Sequence, residues 1–160
     1  MLRRCYAPSF QEEYPTYKGC NVSNEWLLFS NFRSWMEQQD WEGKVLDKDI
    51  LFPSNKTYSS DTCVFVDSKV NLFVAEVKIS REGYMVGVTW DKRVSKFKAQ
   101  GSDRESKSKF LGHFDTELEA HQAWLSAKLE KAYKLAAEQT DVRVAKALVD
   151  RYENYGGFGT

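Results

Sequence analysis

Thr116-x-x-Glu119 limits the fold of this chain more than any other string in it. A threonine at a helix N-cap and a glutamate three residues on satisfy each other's orphan backbone donors, so a helix must start here. Ala120, Ala123 and Ala127 then fall on one face, and the pattern predicts a long helix to about Ala136. Small side chains let such a face lie close against a flat partner, and the preceding residues supply one. Tyr84 to Trp90 is aromatic and β-branched, Val94 to Gln100 alternates beyond a turn at Asp91-Lys92-Arg93, and Lys107 to Phe114 gives a third strand after a polar turn from Gly101 to Ser106. Trp124, Leu125 and Leu129 are expected to fill the margins of this sheet and helix. A last helix from Asp141 to about Tyr152 places Ala145, Leu148, Val149 and Tyr152 on one face, ahead of a flexible tail at Gly156-Gly157-Phe158-Gly159.

Upstream the pattern has a different character, and the polar break Ser80-Arg81-Glu82-Gly83 marks the change. Asn24 is placed to cap a helix to about Gln38, because Trp26, Phe29, Phe32, Trp35 and Met36 recur at helical steps. Asp40 to Gly43 reads as a turn, Val45 to Phe52 as an extended arm and Pro53-Ser54-Asn55-Lys56 as the next turn. Val66, Val70, Phe73 and Val74 suggest a second helix. The expected fold class is α+β: a small helix-hairpin-helix module over 1–79, a three-stranded antiparallel sheet packed on a long helix over 80–136, and a C-terminal helix and tail over 137–160.

Twenty-three basic against 23 acidic residues give no net charge, so the whole chain neither announces nor excludes a nucleic-acid partner. The charge is unevenly spread. Residues 84–110 carry seven basic and three acidic groups, and residues 1–75 carry eight and ten. No apolar run approaches the roughly 20 residues that span a bilayer, and no secretory segment follows Met1-Leu2-Arg3-Arg4, so a soluble, unprocessed, cytoplasmic chain without a membrane partner is expected. Cys5, Cys20 and Cys63 are odd in number and widely spaced, which fits packed, reduced thiols better than disulfides or zinc. The sequons at Asn21 and Asn55 are read as chance, and His113 and His121 as strand-end and helix-surface residues rather than ligands.

The hairpin carries the clearest functional signal. Lys96 and Lys98 project from the same side of one strand, and long cations on a twisted sheet reach phosphates and guanine edges in the major groove. Trp90 would add a flat apolar surface, Arg93 a bidentate donor and Gln100 an amide suited to adenine. A solvated hairpin with lysines on its open face is the alternative. Gly87-Val88-Thr89-Trp90, Lys96-Phe97-Lys98-Ala99-Gln100, Leu111-Gly112-His113-Phe114-Asp115-Thr116-Glu117-Leu118-Glu119-Ala120 and Ala123-Trp124 resemble the plant ethylene-response-factor type of DNA-binding domain, over about residues 80–133. That domain also occurs in mobile phage endonucleases, and its sheet enters the major groove. The resemblance implies that Trp90, Lys92, Arg93, Lys96, Lys98 and Gln100 face double-stranded DNA.

The first module has a resemblance of its own, over about residues 3–71. Arg4-Cys5-Tyr6, Tyr14-Pro15, Tyr17, Gly19, Glu25-Trp26, Leu46-Asp47-Lys48-Asp49, Asn55, Tyr58 and Cys63 are similar to a divergent branch of phage HNH homing-endonuclease-like proteins. The resemblance implies a hairpin and helix around one divalent metal, Mg or Mn. Asp47 falls where the branch has an acid in place of histidine, Asn55 lies in the hairpin turn as its catalytic companion, and Asn71 falls near the helical metal-ligand position. A start at the Arg-Cys-Tyr motif is expected to leave out an upstream part of that family. Asp47 and Asp49, two apart on a strand, would offer hard oxygen ligands from one side. Yet this module contains no histidine, and an exposed aspartate, with an ordinary pKa of about 3.9, is a poor general base.

Two functions follow. One is a phage-type DNA-binding protein of the homing-endonuclease family with weak metal-dependent cleavage. The other is an inactive relative that binds DNA or a host protein, for instance as an inhibitor of a host nucleic-acid enzyme or defence system in the host cytoplasm. An oligomer interface built on exposed aromatic residues is the least supported reading.

Overall fold

The computed structural model describes residues 1–75, 83–103 and 106–155. Ser80, Arg81 and Glu82 of the expected break, Arg104 and Glu105 of the expected turn and the tail from Gly156 lie outside them. The chain divides into two compact units, Met1–Phe73 and Val74–Thr160.

The first unit opens with two short helices, α1 (Leu2–Tyr6) and α2 (Pro8–Glu13). Pro8 stands in the first turn of α2, where its missing N–H forms no helical bond anyway. The Gln11 amide donates back to the carbonyls of Arg4 and Cys5, at 3.2 and 2.5 Å. Strands β1 (Asn21–Val22) and β3 (Thr57–Tyr58) pair in parallel, and β2 (Val45–Asp47) pairs antiparallel with β4 (Val64–Val66). Helix α3 (Phe29–Met36) lies between β1 and β2, and α4 (Ser68–Ala75) follows β4.

Three expectations for this unit change. The helix predicted from Asn24 to Gln38 is a 3-10 turn at Asn24–Leu27, an extended Leu28 (φ −87, ψ 115) and then α3. Side-chain packing decides it: the turn at Leu28 brings Phe32 and Trp35 back onto Trp26, with ring centroids 5.1 and 4.5 Å away, and leaves Phe29 outside. Val66 is in β4, opposite Val45, and only Val70, Phe73 and Val74 of the predicted helical set belong to α4. The arm predicted from Val45 to Phe52 ends at Asp47, because the Asp47 Oδ1 accepts the backbone N–H groups of Asp49 and Ile50 at 2.7 and 2.8 Å and turns the chain. The core gathers Cys5, Cys20, Val22, Trp26, Tyr58 and Cys63, and all three thiols are free.

The second unit has the predicted architecture, but its first strand starts at Val88 rather than Tyr84, and Gly101 to Asp103 and Ser106, expected in a turn, belong to strands. Strands β5 (Val88–Asp91), β6 (Lys96–Asp103) and β7 (Ser106–Phe114) form an antiparallel sheet in that order, followed by α5 (Glu117–Ala137) and α6 (Val142–Glu153). Both halves of the Thr116/Glu119 capping box are made, and Asp141 caps α6 through the N–H of Arg143. Ala120 is fully buried with Val88 and Ala99, and Ala123, Phe97, Leu111 and Phe114 pack around them. Gly87, just before β5, has φ +83, and a Cβ there would stand 2.1 Å from Cγ of Trp124. The Glu117 carboxylate accepts the N–H of Met85, tying this approach to the start of α5. His121 is buried rather than on the helix surface: its Nδ1 lies 2.8 Å from the Val86 carbonyl and its ring stacks on Trp124. The reason is that the covered face of α5 is wider than its alanine stripe, with Tyr152 and Tyr155 also ranged against Trp124. Among the described residues no helix is long and apolar enough to cross a membrane.

Candidate nucleic-acid interface

Strand pairing sorts the sheet residues into two faces. Val88 is opposite Ala99 and Trp90 opposite Phe97, whereas Thr89 is opposite Lys98 and Asp91 opposite Lys96. Side chains alternate along a strand, so Val88, Trp90, Phe97 and Ala99 share the side that α5 covers. Thr89, Asp91, Lys96, Lys98 and Gln100 share the open side. Trp90 therefore stands apart from the two lysines, with its ring 4.8 Å from that of Phe97 at the margin of the core. Lys92 and Arg93 occupy the turn from β5 to β6, which closes through Ser95 at φ 51.

On β7 the pairing slips between Ala99 and Gln100. Phe114, His113 and Gly112 face Phe97, Lys98 and Ala99 in order, but Gln100 faces Phe110, leaving Leu111 as the extra residue. Strict alternation would send Phe110 to the helix side with Gly112 and Phe114. The bulge instead tucks Leu111 into the core and turns Phe110 outward, 55% exposed, its ring 5.0 Å from that of His113. Phe110 and His113 thus join the open face, and sequence reasoning missed both; the one available signal was Gly112 interrupting an otherwise bulky strand.

A carboxylate organises the turn end of this face. Asp91 Oδ1 accepts the backbone N–H of Arg93 at 3.0 Å and its Nε–H at 3.1 Å. Oδ2 accepts the Arg93 Nη2 at 2.8 Å and lies 3.3 Å from Nε2 of His113. The Arg93 hydrogen bonds, with a smaller part from His113, hold the Asp91 carboxyl far below the usual carboxylate range against the opposing effect of burial. Lys96 Nζ is 2.9 Å from Asp115. Lys92 and Lys98 have no carboxylate partner among the described residues.

The candidate catalytic residues of the first unit sit in a loop that satisfies itself. Asp47 accepts two backbone N–H groups, as above. Asn55 donates from Nδ2 to the carbonyls of Lys48 and Thr57 at 2.9 and 2.7 Å and accepts the Thr57 N–H at 3.1 Å. Lys48, its side chain only 7% exposed, donates to Asp49 Oδ1 at 2.6 Å and to the Asn55 carbonyl at 2.7 Å. Asp49 lies beyond the end of β2, so strand alternation does not align it with Asp47. Asn71 lies on α4, and no hydrogen bond among the described residues joins it to Asp47, Asp49 or Asn55. Nor does any group of three His, Cys, Asp or Glu side chains converge among the described residues. A divalent ion held by Asp49 would have the Lys48 ammonium as a like-charged neighbour, so this donor set is a poor fit for Mg or Mn.

Among protein-family models, curated proteins and solved structures, none matches this chain.

Proposed function

We propose that this is a DNA-binding protein descended from phage HNH homing-endonuclease-like proteins, which docks on duplex DNA through the open face of β5, β6 and β7. The observation that carries the reading is the segregation of charge. Lys96 and Lys98 stand on the face away from α5, Lys92 and Arg93 extend the cationic strip around the adjoining turn, and the apolar side chains of β5 and β6 are turned to the helix. Such a strip attracts phosphates, and release of their counterions supplies most non-specific affinity. The sheet is a ribbon of the kind a major groove admits.

Binding without cleavage is the reading favoured for the first unit. Its support is the Lys48 ammonium among the candidate ligands, together with a unit that contains no histidine. In that case the loop serves the fold, and DNA or a host protein is the target.

The test is Lys96→Ala with Lys98→Ala, assayed on duplex DNA over a range of salt. The double variant is expected to bind about tenfold or more weakly near physiological salt, with a salt slope shallower by roughly 0.9 for each phosphate that is no longer neutralised. Lys98→Ala should account for most of the weakening, since Lys96 already spends part of its charge on Asp115. Unchanged affinity and slope in a folded double variant would sink the assignment.

A further inference from the structure

A carboxylate in a cationic strip needs an explanation, because beside DNA it repels phosphate. Asp91 is nevertheless on the open side of the sheet, at the point where the strip turns the corner. Its side chain is 8% exposed while that of Arg93 is 84% exposed, so the acid is covered and the guanidinium is presented. Arg93 commits Nε and Nη2 to the two oxygens of Asp91, and its own backbone N–H is bonded to the same carboxylate. His113 supports Asp91 from β7, and Lys98 lies beside that histidine on β6.

A guanidinium is planar and has five N–H groups in a fixed fork. With its Nε edge tied down, the Nη1 hydrogens and the second Nη2 hydrogen remain, two of them parallel and directed away from the carboxylate. An unbraced surface arginine would lose rotamer freedom on binding; this one has already lost it. Two parallel donors match two parallel acceptors, and in the major groove only guanine offers such a pair, O6 and N7.

We infer that Asp91 is a positioning residue that braces Arg93 to read a guanine beside the β5–β6 turn, so that the site recognised by this protein has a guanine at one fixed position. The inference rests on the proposed docking of this sheet on DNA. It gives the turn a role in sequence choice, separate from the charge supplied by Lys96 and Lys98. It also predicts effects of opposite sign for one substitution. Asp91→Asn removes a negative charge from the strip, so binding to random duplex should hold or strengthen while discrimination falls. A purely structural defect would weaken both.

The experiment selects a preferred duplex from a random pool with the wild-type chain. It then compares binding to that duplex and to one with the guanine pair replaced by an adenine pair, using wild type, Arg93→Lys, Asp91→Asn and Asp91→Glu, each checked for folding by thermal melting. Wild type should favour the guanine duplex by about 5- to 150-fold, the range of one good bidentate pair. Arg93→Lys keeps the charge at an exposed position and should erase that preference with little change on random duplex. Asp91→Glu keeps the ion pair but lengthens its arm by a methylene, and should lose most of the preference even if Asp91→Asn does not fold. If wild type binds duplex but Arg93→Lys keeps the guanine preference, or loses affinity equally on every duplex as a phosphate-binding residue would, the inference is overturned and docking stands. Full discrimination in Asp91→Glu overturns the bracing role. If wild type binds no duplex, docking itself is wrong and the inference falls with it.

Discussion

Cys5, Cys20 and Cys63 come from three distant segments and meet in one core with Trp26 and Tyr58. Burial pushes the Cys63 thiol from an ordinary 9.0 up to about 11, and the Tyr58 phenol from 10.0 up to about 12. The core thus accepts the protonated forms alone. Stability from this preference is complete below pH 9, where an unfolded thiol still keeps its proton, and is lost as the pH climbs to about 11 for Cys63 and about 12 for Tyr58. Urea midpoints should hold to about pH 9 and then fall, and a thiol reagent at pH 8 should react with the folded protein far more slowly than with the protein in urea. A midpoint unchanged to pH 11, or fast labelling of folded protein, would contradict the packing. Odd count and spacing made the packed thiols legible in the sequence. Lys48 was not legible, because a buried lysine depends on partners brought from elsewhere, here the Asn55 carbonyl and the face of the Tyr58 ring 5.8 Å away. Asp91 hid for the same reason: in sequence it is one more polar residue in a turn, and only pairing shows His113 beside it.

Helix α5 and its sheet were readable because each signal is local. The capping box spans four residues, the alanine face repeats at helical steps, and the strands are marked by β-branched and aromatic residues. Where long-range packing decides, the periodicity misleads: Leu28 breaks a helical stripe so that two rings can return to Trp26, and Val66 fits a helical pattern yet pairs with Val45. The bulge at Leu111 belongs to this class, since Gly112 marks an interruption of β7 but only pairing with β6 shows which way the register slips. The fit of α5 on the sheet gives a graded prediction. Ala120→Leu places a large side chain against Val88 and Ala99 and should cost about 1–3 kcal/mol, with Ala123→Leu costing less because that position is only partly covered. Gly87→Ala should cost more than either, since it combines a positive φ with a clash against the Trp124 indole. The check is the melting temperature of the three variants; an unaltered value for Ala120→Leu would show that α5 is turned differently on the sheet.

At the scale of the whole molecule, the groups suited to DNA and the groups suited to hydrolysis belong to different units. The cationic strip is in the second, and the acids Asp47 and Asp49 are in the first. Metal-dependent hydrolysis needs an open cation site and a base of suitable pKa within reach of the attacking water. Both histidines of the chain are in the second unit and engaged, His113 with Asp91 and His121 with the Val86 carbonyl. In the first unit the candidate carboxylates hold backbone and ammonium groups, and a cation binding there would have to displace the buried Lys48 from Asp49. Supercoiled plasmid incubated with the purified protein and Mg²⁺ or Mn²⁺ is therefore expected to be retarded but not nicked. Asp47→Asn sharpens the test, because an amide oxygen can still accept the N–H groups of Asp49 and Ile50 and keep the turn, while the negative charge that strengthens binding of a divalent cation is gone. On the binding-only reading this variant folds and retards DNA as wild type does. Nicking by wild type that requires the metal and disappears in Asp47→Asn would overturn that reading and place a working cation site at the end of β2, with Lys48 moved aside to admit it.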